Sequence, residues 1–153
     1  MKKYEFTGET KEIRLLFRTA TLHRIRATVA FGIVEVGDLG GWIEKEENLS
    51  HEGKAWVWGN AEVWGNAEVF SASHVLVIGA IGSRNDFTTF YRDKDNEITV
   101  KCGCFLGKID RFLEKVTQTH DDSKYALVYR AAVEVAKLQI DLSGEAPKDA
   151  DEE

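Results

Sequence analysis

The densest run of polar chemistry in the chain is Gly82-Ser83-Arg84-Asn85-Asp86, with Thr88, Thr89, Tyr91 and Arg92 close behind it. A guanidinium offers a planar fork of donors that matches phosphate or carboxylate. Backbone amides exposed at a turn form an anion nest. Ser83, Arg84, Asn85, Asp86, Thr89, Tyr91 and Arg92 are therefore the candidate ligand-binding residues, and the ligand they suit is a small anionic, nucleotide-like molecule. The plainer alternative is a structural turn in which Arg84 pairs with Asp86 and Asn85 fills a small inward slot.

Cys102 and Cys104 are a second candidate, because alternate residues of a strand share a face. A structural zinc takes four ligands. With no second cysteine pair, His23, His51, His74 or His120 would have to complete the set. Two reduced thiols is the simpler reading, and a disulfide at that spacing is strained. No metal site and no cofactor are expected. The chain has no Walker loop, Rossmann fingerprint, nucleophile elbow or HExxH motif, so no catalytic residue is assigned.

These residues need a scaffold, and the sequence between Gly53 and Phe87 suggests one. Val57, Val63, Val69, Val75, Ile81 and Phe87 recur at intervals of six. Four residues after each of the first five stand Ala61, Ala67, Ser73, Gly79 and Asn85. That pattern is the mark of hexapeptide β-helix repeats, each hexad giving one short strand and one turn. The expected fold is mainly β with α. A short left-handed β-helix over 53–87 follows an amino-terminal β section and irregular first coil over 1–52. A β-hairpin and two helices occupy 88–142, and a disordered acidic tail 143–153. Trp58, Trp64, Phe70 and Leu76 follow the apolar column by one residue, so they are expected to point outward on every face of the prism. A short solenoid with such rings outside needs covering, which makes these four the expected interface of a homo-oligomer, a dimer or trimer.

Around the repeats, Leu22 to Val29 alternate: His23, Ile25, Ala27 and Val29 on one side, Arg24, Arg26 and Thr28 on the other. With Arg14 and Arg18 this allows a basic strip, though the simpler reading is a solvated face paired with the many glutamates. Asp93-Lys-Asp-Asn96 is a hairpin turn between two β-rich runs. Ile109, Phe112, Leu113 and Val116 have helical spacing. A second helix, capped near Asp121 to Ser123, runs to about Asp141 with Tyr125, Tyr129, Ala132, Val133, Ala136 and Ile140 on one stripe.

The chain is 43% hydrophobic and 30% charged, with a net charge of −6. Such a balance suits one soluble domain and argues against a general nucleic-acid binder. No apolar run is long enough to span a bilayer, and the opening residues lack a signal-peptide core. With two cysteines, this leads to an expectation of a reducing, cytoplasmic setting.

Leu22-His-Arg-Ile-Arg-Ala27, Gly37-Asp-Leu-Gly-Gly-Trp-Ile43, Asn48-Leu-Ser50 and the Gly-Asn-Ala-Glu-Val repeats resemble a family of short hexapeptide-repeat proteins of bacteria, phages and prophages. Its members are often labelled putative transferases or polymer-forming cytoskeletal-type proteins. Ile81 to Asp86, Thr89-Phe-Tyr91 and Cys102-Gly-Cys-Phe105 resemble the carboxy-terminal part of the phage members. The resemblance implies architecture and says little of chemistry. Taken with the missing catalytic set, it leads to an expected non-catalytic binding protein in a bacterial host cell. It would act in counter-defence, by sequestering a nucleotide-like ligand or blocking a host defence protein. The alternatives are a scaffold solenoid and an acyltransferase with His51 or His74 as general base.

Overall fold

The computed structural model describes residues 2–15 and 18–143. All but the first residue of the expected acidic tail lies outside them. The chain forms two four-stranded sheets and a helical pair. The first sheet holds β1 (Tyr4–Arg14), β2 (Thr19–Ala27), β3 (Leu39–Ile43) and β4 (Glu62–Val63), in that order. The second is a meander of β5 (Val75–Ile81), β6 (Asp86–Arg92), β7 (Ile98–Cys102) and β8 (Phe105–Lys108). Helices α1 (Ile109–His120) and α2 (Lys124–Gln139) close the chain. Among the described residues no helix is long and apolar enough to cross a membrane.

The expected β-helix is not found. Between Gly53 and Ser71 the only strand is the two-residue β4, which pairs in parallel with β3 through Trp42–Glu62 and Ile43–Val63. The apolar column is buried at Val57, Val63 and Val69, with Ala61 and Ala67 beside it. Val75 and Ile81 are only half-buried and Phe87 is exposed. The reason is β5: Val75 to Ile81 is a continuous run that stays extended for seven residues, past the point where a hexad must turn. Its backbone pairs antiparallel with β6, from Val75–Tyr91 to Ile81–Asp86. Strands committed to an antiparallel partner cannot stack as successive parallel coils. The buried valines instead serve the first sheet. Gly41 makes this close approach feasible, because a methyl there would run into the Trp58 carbonyl.

The rings also depart from expectation. Trp64 is completely buried, with the Arg18 guanidinium 5.2 Å and the Lys101 ammonium 5.8 Å from its ring centre. Phe70 and Leu76 are half-buried, and Phe70 lies under Arg92. Of the four, only Trp58 is substantially exposed, at 46%. The outward rings on every face that would call for an oligomer are therefore not found. In β2, Leu22 joins Ile25 and Ala27 in the core, whereas His23, expected on their side, is half-buried and stacks on Phe6. Arg24 and Arg26 pair with Glu9 and Glu5 across the neighbouring strand, so this face is a solvated ion-pair ladder.

The second sheet is covered on both sides. Phe90, Ile98, Val100 and Cys102 pack with α1 and α2, whereas Tyr91 and Leu106 pack with the first sheet. On that second side the layer is polar. The Glu62 amide donates to Thr89 Oγ1 at 3.0 Å, and its carboxylate sits between Lys11 and Lys101, the latter at 3.0 Å. Burial opposes ionisation of Glu62, but Lys101 and Lys11 outweigh it and hold its carboxyl below the ordinary value. Asp93 is wholly buried and accepts from Thr99 Oγ1 at 2.6 Å and Lys108 Nζ at 2.8 Å. Each buried charge has its partner, as its desolvation demands.

Two histidines brace backbone segments as neutral acceptors. His51 Nδ1 accepts from the Lys3 amide at 2.9 Å and its ring stacks on Tyr4, while His74 Nδ1 accepts from the Phe70 amide at 3.0 Å. Burial holds both below the usual histidine value. As pH falls below about 6.5, unfolded histidines take up protons that these two resist, so the unfolded chain binds more protons and stability declines. Urea midpoints should therefore drop from about pH 7 to about pH 5, and less steeply in the His51→Gln/His74→Gln double variant. A flat profile, or one unchanged in that variant, contradicts this bracing role.

Candidate functional site

Two turns and two helices converge on the helical side of the second sheet. The β5–β6 turn is closed by the Asn85 amide donating to the Gly82 carbonyl at 3.2 Å, with Asn85 at φ 53°. The β7–β8 hairpin turns on Gly103 and Cys104, glycine leading at φ 57°, which suits a two-residue hairpin loop. Between them lies a half-open cavity of about 180 Å³. Ile81, Phe105, Phe112 and Val116 give its apolar lining, and Ser83, Arg84, Asp86, Lys115, Thr119 and His120 its polar groups. Arg84 leans across the opening: a methyl on Gly103 would lie 3.3 Å from its Nη1.

Arg84 and Lys115 have no ion pair among the described residues. The expected alternative, Arg84 paired with Asp86, is not found; Asp86 Oδ1 accepts from the Phe87 amide at 2.7 Å. On the back wall Cys102 Sγ accepts from Thr88 Oγ1 at 3.4 Å and lies close to Tyr129. Burial first, then the Cys102 thiol, push the Tyr129 phenol up to about 12, so at neutral pH it stays a hydroxyl. His120 stacks on Tyr129 with ring centres 5.6 Å apart. The partners found for Cys102 are thus hydroxyls, without an imidazole to take its proton. Among the described residues no group of His, Cys, Asp and Glu is arranged to hold a metal ion.

Of the seven residues the sequence nominates, Ser83, Arg84 and Asp86 line the cavity. Asn85 shapes the turn and faces solvent. Thr89 and Tyr91 fall on the opposite face of β6: Thr89 binds the Glu62 amide, and the Tyr91 hydroxyl donates to Asn66 Oδ1 at 3.1 Å. Arg92, at the far end of the strand, holds Asn96 Oδ1 at 2.9 Å and the Glu68 carbonyl at 3.2 Å. Strand alternation separates these residues. Sequence reasoning misses Lys115, Thr119 and His120, yet a signal for them exists. Phe112, Lys115, Val116, Thr119 and His120 follow i, i+3, i+4, i+7, i+8, so the polar members extend the apolar stripe of α1.

No protein-family model matches the chain, and comparison with curated proteins finds no similar sequence. The hexapeptide resemblance rests on the quoted motifs alone.

Gly82 is the residue on which this geometry turns. It sits at φ 80°, and a methyl there would collide with the Tyr129 hydroxyl and ring. Gly82→Ala should lower unfolding free energy by about 1–3 kcal/mol from backbone strain alone, with the clash adding to it. Gly59→Ala, where a methyl meets open space, should change stability by less than about 0.5 kcal/mol. Urea denaturation of both variants checks this, and equal effects would refute it.

Proposed function

We propose that the protein is a non-catalytic binding protein that captures a small anionic ligand carrying one flat ring, a pyrimidine-nucleotide-like molecule. The observation that carries this reading is the pairing of an apolar interior with two cations, Arg84 and Lys115, that lack ion-pair partners among the described residues. An engineered apolar cavity of about 150 Å³ accepts benzene, so about 180 Å³ suits a single ring better than a purine with its sugar. The phosphate would sit outside the apolar part, against the guanidinium fork. The hydroxyls around Cys102 favour binding over covalent chemistry, because neither is a base at neutral pH. In the phage and prophage setting that the motifs resemble, such capture would act as counter-defence by removing a signalling nucleotide of the host.

A thermal-shift comparison of uridine monophosphate with uridine tests this reading. At about a hundredfold excess over Kd, a ligand bound only by the folded state adds about 2.7 kcal/mol. For a chain of this length that raises Tm by about 5–10 °C. The nucleotide should stabilise the protein, the nucleoside much less, and Arg84→Ala should abolish the difference. Equal shifts in wild type and Arg84→Ala, or no shift with either compound, would exclude this pocket as the site.

A further inference from the structure

A second cavity lies on the other side of the same sheet, in the polar layer between the two sheets. Its volume is about 540 Å³, within the range of small-molecule sites, about 300–1,000 Å³. Residues of the first-sheet side, Arg18, Glu44, Lys45 and Asn66, face Lys94 and Lys108 from the second. Two of the cations are already neutralised. Arg18 grips Glu44 with two hydrogen bonds of 2.8 and 3.1 Å. Lys108 binds the buried Asp93 at 2.8 Å and shares the exposed Asp95 and Glu97, neither of which lines the cavity.

Lys108 is outnumbered there by three carboxylates, and the cations of the cavity that stand without a partner are two others. Lys45 and Lys94, one from each side, have no ion pair among the described residues. Between them, Asn66 Oδ1 is occupied by the Tyr91 hydroxyl at 3.1 Å. That contact fixes which way the amide points and leaves its Nδ2 donors without a partner among the described residues. Two ammonium groups and an amide donor match a phosphate monoester, which carries about −1.5 to −2 at neutral pH. The volume leaves room for a nucleoside beside it.

We propose that this seam cavity is a binding site for a phosphorylated small molecule of mononucleotide size, held by Lys45, Lys94 and the Asn66 amide. Tyr91 is then a positioning residue, acting through Asn66. The site is separate from the ring pocket behind the sheet and does not depend on it.

Amide-detected NMR titration with inorganic pyrophosphate and with AMP tests the site. Either probe should shift the Gly65, Asn66 and Gly107 amides saturably. AMP binding more tightly would identify a nucleotide as the ligand, and pyrophosphate binding as well as AMP would identify the phosphate alone; both support the site. Lys45→Ala/Lys94→Ala, two exposed and unpaired positions, should keep the fold and weaken binding by at least about tenfold. Tyr91→Phe should weaken it while leaving the lysines in place, and Arg84→Ala should leave it unchanged. The proposal is overturned if neither probe moves these amides at millimolar concentration, or if the double-lysine variant binds like wild type. It is also overturned if the shifts fall on Gly82 and Gly103, around the other cavity.

Discussion

Glu62 and Lys101 meet in the layer between the two sheets, and everything built on the second sheet depends on that layer holding. A sheet covered on both faces would ordinarily carry apolar residues on both. Here one face is apolar and the other carries Thr89, Thr99 and Lys101, so the first sheet must supply partners for buried polar groups. It does so through Glu62, whose amide and carboxylate are both engaged, and through the turn that brings Asn66 to Tyr91. Breaking a buried pair by removing one member leaves an uncompensated charge and costs about 3–5 kcal/mol. The layer therefore tolerates little change, and it fixes which way β6 and β7 face.

Once that orientation is set, the two cavities follow from it. The apolar face receives α1 and α2, and the β5–β6 and β7–β8 turns, side by side at one end of the sheet, leave a gap that the helices do not fill. Its wall is hydrophobic because the strand residues there are core residues, and its rim is charged because the turns and the end of α1 are not. On the other face the sheets meet through side chains of unequal length and leave a polar gap at one end. One sheet thus separates two cavities of different character, one with an apolar interior and the other lined mostly by charged and polar side chains.

Much of this is legible in the residues themselves. The helices can be read from Ile109, Phe112 and Val116 and from the Tyr129 to Ile140 stripe, and the hairpin from Asp93 to Asn96. The inward column of Val57, Val63 and Val69 is equally plain. Periodicity does not say how backbones pair. The valines that mark a β-helix by spacing are buried here by two short parallel contacts, β3–β4 and Leu49–Val69, and by loops, and the run from Val75 to Ile81 chooses an antiparallel partner. Trp64 illustrates the same gap: its position in the repeat directs it outward, yet Arg18 and Lys101 make a buried place for it. Ser83, Arg84 and Asp86 are recognisable together because they fall within one short polar run at the β5–β6 turn. Lys115 and His120 are not, because only the docking of α1 brings them across. The oligomer inferred from outward rings has less behind it than the apolar outer stripe of α2, where Leu127 and Leu138 are 62% and 88% exposed.

As proposed, the pocket behind the second sheet holds a small anion without altering it. Native mass spectrometry of the protein taken gently from the cells that make it, followed by denaturing mass spectrometry of the same sample, tests this. The account predicts a complex heavier than the chain by one small ring-bearing acid, which is released intact on denaturation and leaves the chain at its sequence mass. A chain that carries nothing, or one that keeps a covalent adduct at Cys102 or Cys104 after denaturation, would contradict it.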